Sequence, residues 1–454
     1  MFPSIAILDV GKTNKKILVF NRDYELVYEH IDQIPETLDE DGFPCEDIQA
    51  LSQWALNTME SLITNRNFDI KAINFSAYGA SFVLLGEDRG PAAPLYNYLK
   101  SIDPDLLEDF YTKYGGKATL LQETASPALG NLNSGIQLYR LKELNPEKFS
   151  RIKTALHLPQ YLSYLFTRRP VSELTSIGCH TLLWDFGMNQ YHRWVHEEGI
   201  IKWFPKNEPA DSVFPSQLGD KTILSGIGLH DSSAALIPYL LTIREPFILL
   251  STGTWSIALN PFNQEALSAE QLAEDCLFYF SYQGKPVKAS RLFSGHEHDE
   301  EVKRIAECFD CPAEFYKNIR FDSDYWQALS ENYLEQPDSV DEHGLKHSGF
   351  RDRFVQFFTD ETEAYYTLIA DLVGLQVRYI QLIIEDQPLK QIYVDGGFSK
   401  NSIFMHLLAE RLPDTKVYAA TVAQASALGA ALMMHRHWNE GELPVGLVKA
   451  ERMG

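Results

Sequence analysis

Basic residues are scarce: 40 Lys and Arg stand against 62 Asp and Glu, a net charge of −22 over 454 residues. That balance repels phosphate backbones and anionic headgroups, so nucleic acid and a membrane surface are excluded as main partners. Cysteine is scarce as well. Cys45, Cys179, Cys276, Cys308 and Cys311 are an odd number of thiols at scattered positions, which excludes a disulfide framework. No apolar run approaches the roughly eighteen residues of a membrane span, and Asp9 interrupts the apolar start where a secretory core would continue. The expectation is a soluble cytoplasmic protein. No Gly/Ser linker is visible, yet the chain is too long for one core and suits two domains of roughly 200 residues each.

What is there centres on Gly226 to Leu259. The turn Gly228-Leu229-His230-Asp231 presents a carboxylate beside a glycine and opens into the helix start Ser232-Ser233-Ala234-Ala235. Near a polyphosphate, such an aspartate can take a proton from an alcohol or organise Mg²⁺. The apolar strand Phe247 to Leu250 then breaks into Ser251-Thr252-Gly253-Thr254 and resumes as Trp255 to Leu259. Small hydroxyl residues around a glycine let backbone N–H groups and hydroxyls converge on an anion. Taken singly, Asp231 is equally an ordinary helix cap and STGT an ordinary hairpin turn.

The chain opens with the same device. Ile5 to Leu8 is a strand, Asp9 to Asn14 a polar turn holding Gly11, Lys12, Thr13 and Asn14, and Lys16 to Phe20 a second strand. With Gly11 set on Gly253, Asp9 falls on Ser251, which suggests two related halves facing one nucleotide. A Walker A loop is excluded, because Ala6 stands where its first glycine is needed and a strand follows in place of a helix.

The spacing predicts a β-meander over residues 1–35, a helix over 46–64 through Ile48, Leu51, Ala55, Met59 and Leu62, and strands over 70–76 and 82–85. Between those strands lies Tyr78-Gly79-Ala80-Ser81. Ala92 to His192 reads as helical and loop-rich, with polar clusters at Tyr96–Lys100, Thr124–Asn133 and Ser172–Gly178 suited to a polyol. In the second half a helix is expected over 362–384. A buried strand then ends in Asp395-Gly396-Gly397, with Asn401 shortly after, where backbone can approach a flat or anionic ligand. The small residues of Ala425–Ala431 permit close helix packing. His296-Glu297-His298-Asp299 looks metal-seeking and Cys308-x-x-Cys311 is a single CxxC; a solvated stretch is the commoner meaning of each. The alternation of strands and helices implies an α/β fold.

These pieces in this order resemble the FGGY family of carbohydrate kinases. Asp9-x-Gly11-x-Thr13 is similar to its first phosphate motif, Gly226–Asp231 to its catalytic loop, Ser251–Thr254 to its second phosphate motif and Asp395–Asn401 to its adenosine motif. The resemblance covers essentially the whole chain. It implies two RNase H-like domains of the actin/Hsp70/sugar kinase superfold flanking a central cleft, with residues 1–223 binding sugar and 224–454 binding nucleotide. It further implies ATP and Mg²⁺, with Asp231 as general base and Asp9 and Asp231 toward the metal. Gly11, Lys12, Thr13, Asn14, Ser251, Thr252, Gly253 and Thr254 would hold phosphates, and Gly396, Gly397 and Asn401 would border the adenosine.

For the acceptor, Tyr78, Gly79, Ala80, Ser81, His230 and Asp231 are the candidates. The segment Asn74–Leu85 looks like that of rhamnulokinases and fuculokinases and lacks the Gln-x-His-Gly of xylulose and glycerol kinases, so a 6-deoxyketohexose such as L-rhamnulose or L-fuculose is expected. A pentulose or polyol is the alternative within the family, and a non-catalytic nucleotide- or sugar-binding regulator the alternative outside it. Gln424 stands where the family often has glutamate, and Leu292–His298 matches none of its patterns. The resemblance allows a homodimer.

Overall fold

The computed structural model describes residues 2–341, 345–384 and 389–453. The chain divides into two compact units, neither of them one stretch: Met1–Thr242 with Gln264–Val287 and Ala423–Leu447, and Ile243–Asn263 with Lys288–Val422 and Val448–Gly454.

The first unit is built on β1 (Phe2–Val10), whose residues Ile5 to Leu8 are wholly buried on both faces. A strand apolar on both sides belongs in the middle of a sheet covered by helices. There it lies, in the order β5-β6-β4-β1-β2-β3, with β2 (Lys15–Phe20), β3 (Leu26–Asp32), β4 (Phe68–Ala77), β5 (Val213–Leu218) and β6 (Lys221–Gly226). A short β7 (Leu229–His230) pairs with the end of β4. The meander β1-β2-β3 is antiparallel, while β4 runs parallel to β1. Helix α1 (Ile48–Thr64) starts where the Asp47 carboxylate accepts the Ala50 N–H, and it buries Ile48, Leu51, Ala55, Met59 and Leu62 at helical spacing. Further helices are α2 (Leu158–Thr167), α3 (Leu174–Ile177) and α4 (Asp231–Thr242). The sequence reads Ser172–Gly178 as a loop; α3 forms there because the Glu173 carboxylate accepts the N–H groups of Thr175 and Ser176.

The second unit repeats the plan. Its strands follow the order β10-β9-β8-β11-β12-β13, with β8 (Ile248–Thr252), β9 (Ser256–Asn260), β10 (Pro286–Leu292), β11 (Gln391–Gly396), β12 (Lys416–Thr421) and β13 (Lys449–Arg452). Again an antiparallel meander is joined by a strand parallel to its first member. Helices α5 (Ser294–Phe309), α6 (Glu361–Ile384) and α7 (Ser402–Arg411) belong to this unit. By length and composition α6 could cross a membrane, yet 78% of its most apolar window is buried inside the protein. It also carries Asp371, which accepts from Arg353 Nε at 2.6 Å and from the Tyr333 hydroxyl at 2.6 Å. This is a core helix. A count of uninterrupted apolar residues passes over it because such polar groups punctuate it.

The chain then returns to the first unit as α8 (Ala425–Met433). A Cβ on Gly429 would lie 1.9 Å from the Ala234 carbonyl oxygen, so α8 and α4 meet backbone to backbone, as the small-residue run predicts. Inside β4 the buried Asn74 fastens this arrangement. Its Nδ2 donates to the Ala430 carbonyl at 2.8 Å and its Oδ1 accepts the Gly228 N–H at 3.1 Å. Removing that amide strands two buried backbone groups, so Asn74→Ala is expected to cost roughly 2–4 kcal/mol in chemical denaturation. An unchanged midpoint would mean that Gly228 and Ala430 find other partners.

Candidate active site

The first unit brings together the polar turn at residues 11–14, the strand end at Asp9 and the acceptor candidates around Asp231. The turn closes through Gly11 N–H donating to the Asn14 carbonyl at 2.9 Å. Beneath it lies Lys15, only 1% exposed, whose ammonium donates to the carbonyls of Gly11 at 3.1 Å and Lys12 at 2.9 Å and to Glu46 Oε1 at 3.0 Å. A buried cation is tolerable when each of its donors is used. With two carbonyls drawn down to Lys15, the other side of the turn is left to the N–H groups beyond Gly11, whose own N–H is spent on Asn14. Lys12 itself pairs with Glu36 at 2.5 Å, and Thr13 is exposed.

Asp9 ends β1 with Oδ2 accepting the Ser426 hydroxyl of α8 at 3.2 Å. Desolvation raises its pKa to about 6, the Asp231 charge adds to the rise, and Ser76, Lys16 and Ser426 partly oppose it. Lys16 donates to Gln424 Oε1 at 2.9 Å, while Gln424 Nε2 donates to Glu29 at 2.8 Å. An amide can accept from a lysine and donate to a carboxylate at once; a glutamate could not. That accounts for Gln424 in this chain.

Asp231 is the first residue of α4 and keeps 34% of its side chain exposed. Its contacts converge on one oxygen: Oδ1 accepts the Ser232 N–H at 2.6 Å and faces His230 Nε2 at 3.2 Å. Desolvation raises the Asp231 pKa to about 6 and lowers that of His230 to about 3. Near neutrality the aspartate is therefore ionised and the imidazole neutral. His230 Nε2 also lies 3.1 Å from Cys179 Sγ, so this ring nitrogen faces a thiol and the carboxylate oxygen together. The oxygen Oδ2 stays available to a substrate.

Tyr78 to Ser81 lie beside this pair. A Cβ on Gly79 would meet Cys179 Sγ at 2.5 Å and the His230 ring at 3.1 Å, so only glycine fits. Ala80 takes a left-handed conformation, φ +61°, with its carbonyl accepting from Gln137 Nε2 at 2.7 Å. Tyr78, Ala80 and Ser81 are buried and Gly79 is half-buried. Sequence reading missed Lys15, Glu46, Ser76, Ser426, Gln137 and Cys179. Of these, Ser426 and Ser76 lay in segments already singled out, the small-residue helix and Asn74–Leu85.

In the second unit the turn Ser251–Thr254 is clamped from two sides. Gly397 N–H donates to the Thr252 carbonyl at 2.9 Å, Thr252 Oγ1 donates to the Asp395 carbonyl at 2.6 Å, and Phe398 N–H donates back to Oγ1 at 3.0 Å. Gly396, at φ +94°, has no room for a Cβ, which would lie 1.8 Å from the Thr252 oxygen. Opposite, a Cβ on Gly295 would lie 1.8 Å from the Gly253 oxygen, and His296 N–H donates to the Thr254 carbonyl at 3.2 Å. The Leu292–His298 stretch is therefore the other jaw of this clamp. Asn401 is held within the unit, its Oδ1 capping α7 and its Nδ2 donating to the Tyr365 hydroxyl at 2.8 Å.

The two histidines of that stretch diverge. His296 stacks on Phe293 at 4.4 Å, while His298 is buried, 3.2 Å from the Tyr365 hydroxyl. Cys308 and Cys311 are free thiols. Among the described residues no group of three or more His, Cys, Asp or Glu side chains could hold a metal ion. For Mg²⁺ the first unit offers Asp9 and Asp231, two carboxylates held close enough that one raises the pKa of the other. Such a pair suits a divalent cation held largely through water.

Two family models match: the FGGY family of carbohydrate kinases, N-terminal domain, over residues 4–197, and Carbohydrate kinase FGGY, C-terminal domain, over residues 244–442. A rhamnulokinase of Oceanobacillus iheyensis is 22% identical over 93% of this chain and 90% of its own. Among solved structures, a carbohydrate kinase from Novosphingobium aromaticivorans superposes with a TM-score of 0.81 at 23% identity, covering 99% of this chain and 93% of that one. Xylulose kinase from Lactobacillus acidophilus gives 0.77 at 16% identity over 99% and 93%. These likenesses establish the α/β fold with its two sheet-bearing units.

Two outcomes follow from the geometry. Asp231 binds its proton more tightly folded, at a pKa of about 6 against 3.8, so stability falls as pH rises through that window. Without divalent cation, Asp231→Asn should outlast the wild type in denaturant at pH 7.5 by about 1 kcal/mol, discounted for its solvent contact, and match it at pH 4. A variant less stable at pH 7.5 would contradict the raised pKa. Gly295→Ala must displace the turn at Gly253 and should weaken triphosphate binding about tenfold or more by calorimetry. Unchanged binding would remove the turn from the phosphate site.

Proposed function

Since this chain belongs to the FGGY family of carbohydrate kinases and is an ATP-dependent sugar kinase, we propose that it phosphorylates a 6-deoxyketohexose such as L-rhamnulose or L-fuculose with Asp231 as general base. The observation that carries the base assignment is the one-sided tethering of Asp231. Ser232 N–H and His230 Nε2 both address Oδ1, which aims Oδ2 at an acceptor hydroxyl. With a pKa of about 6, the carboxylate is ionised at pH 7 yet basic enough to take a proton as the hydroxyl attacks.

The remaining roles follow the chemistry of phosphoryl transfer, where positioning and charge neutralisation do most of the work. Main-chain N–H groups and hydroxyls of the turns Gly11–Asn14 and Ser251–Thr254 would grip phosphate oxygens, apart from the Gly11 and Gly253 N–H groups, which are spent on Asn14 and Trp255, with Lys15 fixing the first turn from below. Gly396, Gly397 and the Asn401 turn would border the adenosine. Asp9 and Asp231 would hold Mg²⁺, which when bound supplies charge neutralisation to the phosphates. Tyr78–Ser81 and His230 would shape the acceptor side. In this reading residues 1–223 serve the sugar and 224–454 the nucleotide, although Asp231 packs with the first unit. The reaction would run in the cytoplasm.

Support for the deoxyhexose comes from the rhamnulokinase likeness along nearly the full length of both chains and from the missing Gln-x-His-Gly. A pentulose is the second reading, favoured by the fold-level likeness to a xylulose kinase. The test is ADP release from Mg·ATP across rhamnulose, fuculose, xylulose, ribulose, glycerol and erythritol. One deoxyketohexose should dominate, and Asp231→Asn should lower its kcat by about 10³-fold while ATP still binds. A dominant pentulose would replace the substrate assignment. Bound ATP with no stimulation by any sugar would favour a regulator.

A further inference from the structure

The segment Glu173–Cys179, whose hydroxyls the sequence offers to the sugar, has its polar groups turned to another task. Glu173 is 2% exposed and Thr175 wholly buried. Glu173 Oε2 accepts the Thr175 N–H at 2.9 Å and the Ser176 N–H at 3.4 Å, and it also accepts the Thr175 hydroxyl. Because that hydroxyl spends its proton on Glu173, its lone pairs face outward. One of them accepts the main-chain N–H of His230 at 3.1 Å. The same segment touches His230 a second time, through Cys179 Sγ at 3.1 Å from Nε2. Tyr279 stacks on the ring at 5.5 Å and 19°. Main chain and imidazole of the residue preceding Asp231 are thus both fixed by α3 and the turn after it.

Resting on Asp231 as the base, we propose that Glu173 and Thr175 are positioning residues: a buried carboxylate orients the Thr175 hydroxyl, which pins the His230 amide and thereby sets the direction of Asp231. Three features support this. The hydrogen bond from the Thr175 hydroxyl to Glu173 polarises the oxygen that His230 meets. β7 is only two residues long and pairs with β4 at its very end, so the ladder alone leaves the base loosely aimed. The ring of His230 in turn lies 3.2 Å from the aspartate oxygen that the Ser232 N–H holds. A displacement of about 1 Å at a reacting group costs on the order of 10²-fold in rate. A chain of two residues that fixes the base is therefore expected to act on turnover and leave ligand affinity alone.

The experiment compares wild type with Thr175→Val, Thr175→Ser and Glu173→Gln on the best sugar found, with amide hydrogen exchange read at His230. Thr175→Val keeps the shape and loses the hydroxyl, and its kcat should fall about 10- to 100-fold with KM for sugar and ATP within about twofold. Thr175→Ser should recover most of the loss. Glu173→Gln should show the same split more weakly, and it carries the test if Thr175→Val does not fold. The His230 amide should exchange faster in Thr175→Val than in wild type or Thr175→Ser. An unchanged kcat, equal losses in the Ser and Val variants, or an unchanged exchange rate at His230 would overturn the positioning role. Retained activity in Asp231→Asn would instead overturn the base assignment beneath it.

Discussion

The desolvation of Asp9 and Asp231, to which the charge of Asp231 adds at Asp9, is the constraint on which the first unit depends. Two carboxylates sheltered from bulk water raise the free energy of the fold as they ionise. The surrounding chain does not cancel that cost with an arginine. It offers partial relief through hydroxyls, a backbone N–H and one lysine at a remove, and it holds His230 neutral so that no positive charge joins the aspartates. An arginine in salt-bridge contact would quench the basicity of Asp231 and compete with a divalent cation. The tension is thus a condition of the chemistry, as expected where stability and activity pull apart.

The two halves repeat a strand, turn, strand device and secure it by different means. In the first, side-chain electrostatics do the work: a buried ammonium gathers the carbonyls of Gly11 and Lys12 and is balanced by Glu46. In the second, backbone meets backbone, with Gly295 and Gly396 admitting carbonyl oxygens where no Cβ could stand. Both leave a turn that can present N–H groups outward. The common requirement is that the carbonyls be occupied elsewhere, and either a cation or a neighbouring main chain meets it.

Much of the fold was legible because it rests on local signals. Strands buried on both faces, the helical spacing from Ile48 to Leu62 and the small-residue helix each announce themselves locally. The candidate site was legible where glycine and hydroxyl residues mark a turn. What stayed hidden depends on partners far away in sequence. Lys15 reads as one of a pair of surface lysines until Glu46 is placed beside it. Glu173 reads as one member of a polar loop, because nothing nearby announces that its carboxylate will cap α3. His296 and His298 look metal-seeking at alternate positions, with a solvated stretch the commoner meaning; a helix turns them about 200° apart, one onto Phe293 and the other toward Tyr365. Gln424 looked like a departure until Lys16 and Glu29 appeared on its two ends.

The return of α8 to the first unit bears on how the molecule is made. Asn74, Asp9 and Lys16 lie near the start of the chain, but Ala430, Ser426 and Gln424, which bond to them, emerge from the ribosome 356, 417 and 408 residues later. Until then β4 carries a polar amide without its acceptor, and α4 an open groove at Ala234. The first unit must therefore wait while most of the second is synthesised, and the second in turn closes only with β13, which follows α8 in the chain. Closing contacts of such long sequence separation is slow, and the waiting surface is where a chaperone would hold the nascent chain.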